Sequence, residues 1–277
     1  MKSIVCKFGG TSLADSKAFE QVKKIIKSNN LRKFVVVSAP GKIDENSAKV
    51  TDLLIQSYEK SKNNLYFGLH FYQIKKRFYD IINSLNIDID LDKDFEELYS
   101  KIEEHNDYDY VISRGEQICA KIMAKFLDYD FIDAKDIIIF DKDGKVDINE
   151  SKREFLSKTN INRKYVIPGF YGSQFGKIKT FTRGGSDITG AIIACLSQSD
   201  LYENFTDVDG VFDIDPKKNS NAKLIKEMTY SQMKALYEAG AQVLHGDSLE
   251  FLKQNNIVLN LRNTFNYSNS GTLIIPD

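Results

Sequence analysis

The sequence has few of the residues that form cross-links or hold metals. Its three cysteines, Cys6, Cys119 and Cys195, are widely separated and form no CxxC pair. This pattern indicates neither a disulfide framework nor a structural zinc site, and it predicts free, buried thiols. The three histidines fall in neither an HxxxH nor an HExxH motif, so they give little support for a metal site.

Long hydrophobic runs and an excess of charge are also missing. The longest apolar runs, such as 34–37 and 137–140, fall far short of the roughly 20 residues that span a bilayer, and the N-terminus has no apolar stretch typical of a signal peptide. Lys and Arg total 38 against 39 for Asp and Glu, so the net charge of -1 gives no general reason to bind nucleic acid or acidic membranes. We therefore expect a cytoplasmic protein with a small-molecule partner, and neither a nucleic-acid nor a membrane partner.

The residues that are present predict an α/β protein with a sizeable core. Hydrophobic residues make up 42% of the 277 positions and charged residues 28%, as in soluble globular domains. Apolar runs bounded by turn residues alternate with segments of helical period, which predicts a mostly parallel sheet covered on both faces. The predicted strands are 3–8, 34–38, 165–172 and 257–261, with short strands near 130–148. The predicted helices are 17–28, 116–128 and 150–158, together with a helical insertion at about 51–105.

A glycine pair follows the first predicted strand, in KFGGTS at 7–12. Gly9 and Gly10 allow a ligand to approach the backbone closely, and Lys7 supplies a positive charge. This combination suits a nucleotide phosphate. The segment matches neither GxxxxGK[ST] nor GxGxxG, however, and by itself it is equally compatible with an ordinary tight turn.

A second glycine pair lies in FTRGGSDITGA at 181–191. Ser186 is a predicted N-cap of the helix that follows. Arg183 is suited to hold a carboxylate through two parallel hydrogen bonds, and Asp187 to receive an ammonium group or orient a lysine. The alternative is a capped helix with a surface arginine.

Two further segments carry weaker signals. FTDVDGVFDIDPK at 205–217 places acidic residues in a turn that suits a divalent metal or a ribose. It lacks the bidentate Glu of an EF-hand, and acidic turns are usually just solvated. SRGE at 113–116 ends the segment VIS, which we interpret as a short strand. This interpretation places Arg114 and Glu116 at the carboxyl edge of the sheet, where open α/β folds bind ligands.

Together these segments resemble the aspartate kinases of the amino acid kinase family. The matching segments, in that family's order over residues 3–275, are KFGGTS, FVVVSAPGK, VTDLL, SRGE, PGFYG, FTRGGSDITGA, TDVDGV with DPK, GAQVLH, and RNTFN with GTLI. The resemblance implies a three-layer αβα sandwich with a mainly parallel central sheet. It also implies conversion of L-aspartate and MgATP to 4-phospho-L-aspartate and ADP, which opens the route to lysine, methionine and threonine.

The resemblance also assigns lobes and residues. It implies a single catalytic domain over 1–277, with an acceptor-binding lobe at about 1–175 that includes the helical insertion, and an ATP-binding lobe at about 176–277. Lys7, Phe8, Gly9, Gly10, Thr206, Asp207, Phe212, Lys217 and Lys223 are expected at ATP. Ser38, Thr51, Glu116, Arg183, Ser186 and Asp187 are expected at aspartate, with Arg183 on the α-carboxylate and Glu116 on the ammonium group. Lys7, Lys223 and Asp187 are the expected catalytic residues, and Mg²⁺ is expected to bind mainly through the ATP phosphates.

Some expectations rest on departures from the family pattern. Gly246 stands where Pro is common in the family, and Phe212 where Tyr is common.

Only IPD follows the last matching segment, so we expect a catalytic region without ACT regulatory domains. We also expect no inhibition by lysine or threonine, unless a separate regulatory chain supplies those domains. A homodimer is also expected. The alternative functions are a kinase of the same family for another carboxylate acceptor, and a nonenzymatic sensor of aspartate or nucleotide.

Overall fold

The fold is built on one central sheet in which most strands are parallel. The computed structural model describes residues 3–160, 162–182, 184–214, 221–238 and 246–277. Its strands are β1 (Ile4–Phe8), β2 (Arg32–Val37), β3 (Asp130–Phe131), β4 (Tyr165–Pro168), β5 (Tyr171–Gln174), β6 (Lys177–Thr180), β7 (Leu201–Thr206), β8 (Glu227–Thr229), β9 (Val258–Asn263) and β10 (Thr272–Ile275). The central sheet has the order β3-β4-β2-β1-β7-β9-β10-β8, and β5 and β6 form a separate hairpin. Only the β9–β10 pair in the central sheet is antiparallel.

Helices cover both faces of this sheet. They are α1 (Ser16–Lys27), α2 (Val50–Lys62), α3 (Gly68–Leu85), α4 (Asp92–Glu104), α5 (Tyr108–Leu127), α6 (Ile148–Lys158), α7 (Gly185–Leu196), α8 (Tyr230–Glu238) and α9 (Gly246–Gln254). Cys6 and Phe8 of β1 pack into the core that includes α1 to α5, whereas Val5 packs into the core that includes α6, α7 and α9. Alternate residues of a strand point to opposite faces, so one strand contributes to both cores. The predicted three-layer αβα sandwich is confirmed.

Several predicted elements have the expected bounds. The helix predicted at 17–28 is α1, whose N-cap Asp15 accepts a hydrogen bond from the amide of Ala18, and the helix predicted at 150–158 is α6. Helices α2, α3 and α4 occupy the stretch 51–105. No helix among the described residues is long and apolar enough to cross a membrane.

Three structural predictions were wrong in part. The residues VIS before Arg114 are not a strand but belong to α5, which begins eight residues before the predicted helix at 116–128. Two adjacent apolar residues cannot distinguish a strand from a helix, and here Val111 continues the helical spacing of Ile118 and Ile122. The stretch 165–172 is two strands, because the chain turns at Phe170, whose φ is 79°. Cys6 and Cys119 are buried free thiols as predicted, but Cys195 is half-exposed.

A buried charged network fastens the middle of the sheet. Both oxygens of Glu203 on β7 accept hydrogen bonds from Arg32 of β2, at 2.6 and 2.9 Å, and Arg262 of β9 donates to Glu203 at 2.8 Å. Burial favours the neutral acid, but the hydrogen bonds and charges of the two arginines prevail and hold the pKa of Glu203 below its usual value. The network ties β2, β7 and β9 together on one face of the sheet.

Candidate active site

Loops leave the sheet together at the carboxyl ends of β1, β2 and β7. The amide of Gly9 donates to the carbonyl of Phe205 at 3.1 Å, and the amide of Ser38 donates to the carbonyl of Phe8 at 3.2 Å. The ladder hydrogen bonds therefore continue past the strand ends, and the loops begin in a fixed position. This edge is where open α/β sheets bind ligands.

The first glycine pair is held by a second loop that packs against it. The carbonyl of Gly10 accepts hydrogen bonds from the amides of Leu13, at 3.0 Å, and Gly41, at 2.8 Å. A Cβ atom on Gly41 would lie 2.6 Å from the carbonyl carbon of Gly10, so a side chain there would push the two loops apart. Arg77 of α3 donates to the carbonyl of Gly41 at 2.7 Å and holds this loop from the outside.

A cavity of about 330 Å³ lies between these two loops. It is lined by Gly10, Thr11, Ser38, Ala39, Pro40, Gly41, Lys42, Lys49, Thr51 and Glu116. The resemblance assigns Ser38, Thr51 and Glu116 to aspartate, and these residues meet here: Ser38 directly follows β2, Thr51 is in α2 and Glu116 is in α5. The cavity adjoins the Gly10 loop, so a small molecule in it would lie next to a phosphate held by that loop.

Glu116 gives this cavity its chemistry. Its side chain is only 5% exposed, and Oε2 has no hydrogen-bond partner among the described residues. Burial raises the pKa of Glu116 to about 8, although the backbone amide of Ala39 and the charge of Arg114 act in the opposite direction. A buried carboxylate needs a partner, and an ammonium group of a ligand would supply one.

Lys7 and Asp187 form an ion pair beside the first glycine loop. The Nζ of Lys7 lies 2.6 Å from Oδ1 of Asp187, and both side chains are largely buried. A Cβ atom on Gly9 would lie 3.6 Å from the same Nζ, which places the ammonium group against the loop. A cation in this position is suited to neutralise a phosphate.

The start of α7 delivers Asp187 to this position. The N-cap is Gly184, with φ of 58°, so the prediction of Ser186 as the N-cap was wrong; the helix begins one residue before Ser186, in the left-handed turn that glycine adopts readily. Thr189 Oγ1 accepts a hydrogen bond from the amide of Phe170 at 3.1 Å. Ser186 itself packs against Gly169, where a Cβ would lie 2.6 Å from its Oγ. These contacts hold the first turn of α7 at the end of β4.

The other described residues expected at the nucleotide, beyond those of β1 and the first glycine loop, lie at the end of β7 or after it. Thr206 ends β7, and Phe212 forms a bridge with Leu224. The amide of Asp213 donates to the carbonyl of Lys223 at 3.1 Å, and the amide of Lys223 donates to Oδ1 of Asp213 at 2.8 Å. The Lys223 side chain is exposed. Phe212 and Lys223 therefore lie on a two-stranded ribbon that extends from the carboxyl edge of the sheet.

A comparison with known sequences identifies the family of this chain. The sequence profile of the amino acid kinase family matches residues 2–263, which is nearly the whole chain. The chain belongs to the amino acid kinase family.

Similar proteins include several aspartate kinases. Aspartokinase 3 of Bacillus subtilis is 35% identical over 286 residues, covering 98% of this chain and 63% of the relative. The solved aspartate kinase of Clostridium acetobutylicum is 43% identical with a TM-score of 0.94, covering 99% of this chain and 63% of that one. The Escherichia coli aspartokinase III, solved with aspartate and ADP, shares the fold with a TM-score of 0.88 at 24% identity, covering 99% of this chain and 65% of that one. This chain thus spans about two-thirds or less of the length of these relatives.

The described residues predicted at aspartate, together with Lys7, form two groups in this amino acid kinase. Ser38, Thr51 and Glu116 line the cavity beside Gly10. Lys7 and Asp187 form the adjacent ion pair, and Ser186 lies next to Asp187 in the first turn of α7. Arg183 and Lys217 lie outside the described residues.

Sequence reasoning missed two residues that shape the site. Asn204 on β7 donates to Asp187, and Arg77 braces the loop at Gly41. Asn204 left a signal in the sequence, because a polar residue inside a strand buried on both faces needs a partner. Arg77 left none, since an arginine on a helix is usually solvated.

Proposed function

We propose that this amino acid kinase transfers the γ-phosphoryl group of ATP to the β-carboxylate of L-aspartate, giving 4-phospho-L-aspartate. The observation that carries the proposal is Glu116, a buried carboxyl group with an unpaired oxygen in a cavity next to the Gly10 loop. Such a group favours an acceptor with an ammonium group over one without. The aspartate kinases named among the relatives support the same substrate.

The chemistry requires no general base. The β-carboxylate of aspartate is already ionised at neutral pH, because its reference pKa is about 3.9. The barrier lies in bringing this anion against the negative γ-phosphate, so rate acceleration must come from positioning and from neutralised charge. Lys7 supplies a positive charge at the glycine loop, and Asp187 holds that charge in place.

Further parts of the proposal concern substrates and assembly. MgATP is the co-substrate, and Lys223, Thr206, Asp207 and Phe212 would contact it from the ribbon after β7. Arg183 would hold the α-carboxylate of aspartate. We also propose that the acceptor-binding and ATP-binding lobes divide at about residue 175. The protein would act as a homodimer in the cytoplasm, where ATP is available. A separate regulatory chain is compatible with this proposal.

The test compares acceptors that differ by one group. ATP-dependent hydroxamate formation, which traps acyl phosphates, would be measured with aspartate, with succinate, which lacks the ammonium group, and with glutamate. We expect aspartate to be the best acceptor and succinate a poor one. The variant Glu116→Gln should raise the KM for aspartate but leave the weak reaction of succinate unchanged, because succinate has nothing to offer Glu116.

The exposed Glu96 on α4 provides a matched control. Glu96→Gln makes the same chemical change away from the cavity and should leave both acceptors unaffected. Succinate turnover equal to that of aspartate would contradict the role of Glu116. Absence of ADP release with every acceptor would favour the sensor alternative.

A further inference from the structure

Asn204 is a buried amide in the middle of β7, directly beside the proposed reaction centre. It is 3% exposed, and in the parallel pairing of β1 with β7 it lies opposite Lys7. Paired residues on neighbouring strands project to the same face of the sheet. Both side chains therefore point toward α7, which covers that face and carries Asp187.

One oxygen of Asp187 receives both of these side chains. Nδ2 of Asn204 donates to Oδ1 at 2.8 Å, and Nζ of Lys7 lies 2.6 Å from the same atom. Only the NH₂ end of an amide can donate to a carboxylate, so the orientation of Asn204 follows from its neighbour. The amide stands on a short side chain from a central strand, whereas the lysine ammonium group lies at the end of four flexible carbons.

We propose that Asn204 is a positioning residue for phosphoryl transfer, which fixes the carboxylate of Asp187 and through it the ammonium group of Lys7. The proposal rests on the proposed kinase function. When the ammonium group of Lys7 engages a phosphate, Asp187 shares or loses its cationic partner. The donor from Asn204 remains, so the carboxylate is never left buried without a hydrogen bond, and Lys7 can turn to the phosphate at a lower cost.

Two substitutions separate this role from simple packing. Asn204→Leu keeps a side chain of similar size but removes the donor. Asn204→Asp keeps the shape but places an acceptor of like charge against Asp187. Steady-state kcat and KM for aspartate and ATP would be measured from about pH 6 to about pH 9, with thermal unfolding as the check on folding.

For Asn204→Leu we expect kcat to fall about tenfold, as for loss of a hydrogen bond to a charged group, with both KM values within about twofold. For Asn204→Asp, activity relative to wild type should be lowest at high pH and should recover as the pH falls, because a protonated carboxyl group can donate to Asp187.

Asn260 is the matched control. It is a buried asparagine on the adjacent strand β9, but it pairs with Glu203 and so projects to the opposite face from Asn204. Asn260→Leu should leave the kcat profile unchanged.

The outcomes distinguish this proposal from the kinase function itself. A wild-type protein that releases no ADP with aspartate contradicts the proposed function. If the wild type is active, two results would overturn only the role of Asn204. One is an undiminished kcat in Asn204→Leu, and the other is an equal loss of kcat in Asn204→Leu and Asn260→Leu. If Asn204→Leu does not fold, the dependence of kcat on pH in Asn204→Asp tests the proposal instead. A kcat curve parallel to that of wild type at every pH would then contradict the role of Asn204.

Discussion

The proposed contact between Glu116 and the ammonium group of aspartate predicts that a proton is released on binding. Burial raises the pKa of its carboxyl group to about 8 in the free protein. At pH 7, one unit lower, about nine molecules in ten therefore carry the proton. An ammonium group at hydrogen-bond distance favours the charged carboxylate, so binding of aspartate should expel that proton.

The size and sign of the effect follow from the same pKa. Below pH 8 most molecules must lose a proton before the ammonium group can be received as an ion pair, and this requirement weakens apparent affinity. Between pH 6 and pH 7 the ionised fraction rises nearly tenfold, so affinity for aspartate should rise by about the same factor, equivalent to about 1.4 kcal/mol. At pH 7 about 0.9 proton should leave per aspartate bound.

Titration calorimetry in two buffers of different ionisation enthalpy measures this proton directly. The observed enthalpies at pH 7 should differ by about 0.9 of the difference between the buffers. Glu116→Gln should abolish the difference, and Glu96→Gln should preserve it. Equal enthalpies for wild type in both buffers, or an affinity that is flat from pH 6 to pH 7, would refute the assignment of the ammonium group to Glu116.

Two further predictions concern stability and turnover. In the unfolded chain Glu116 has a pKa near the ordinary value of 4.5, whereas burial raises its pKa to about 8 in the folded protein. The contribution of this group to the free energy of unfolding is therefore lost as the pH rises between these two values. Glu116→Gln should match wild type near pH 4 and exceed its free energy of unfolding by up to about 5 kcal/mol at pH 9, measured by urea denaturation. Lys7→Met should fold but lose about 3 kcal/mol or more of transition-state stabilisation, seen as a fall in kcat/KM of at least about a hundredfold. Retention of more than half of the wild-type turnover would contradict the role of Lys7.

The parts of the fold that the sequence could predict are those set by local pattern. The run 3–8 and the helical spacing of Phe19, Val22, Ile25 and Ile26 predict β1 and α1, because their apolar residues match one period over a long enough stretch. The glycine pair at Gly9 and Gly10 is recognisable for the same reason, since a turn between strand and helix depends on adjacent residues.

The parts that could not be predicted depend on contacts between distant segments. Glu116 reaches the cavity from within a long helix rather than from the end of a strand, and only the packing of α5 against the sheet places it beside Ala39. Its unpaired oxygen and its pKa, which burial raises, are both properties of that assembled cavity. Arg77 likewise acquires its function from a loop 36 residues away in the chain.

The sequence LYENFT of β7 shows which polar contacts can be inferred for a buried strand when its two faces are considered separately. It places two polar residues, Glu203 and Asn204, side by side in a strand covered on both sides. Neighbouring residues project to opposite faces, so they cannot serve as partners for each other, and each requires a polar partner on its own face of the sheet. Glu203 finds Arg32 and Arg262, which tie the strands together, and Asn204 finds Asp187 on α7, which holds Lys7. A single strand thus links its neighbours in the sheet through one face and contacts, through the other, the carboxylate that pairs with the proposed phosphate-binding lysine.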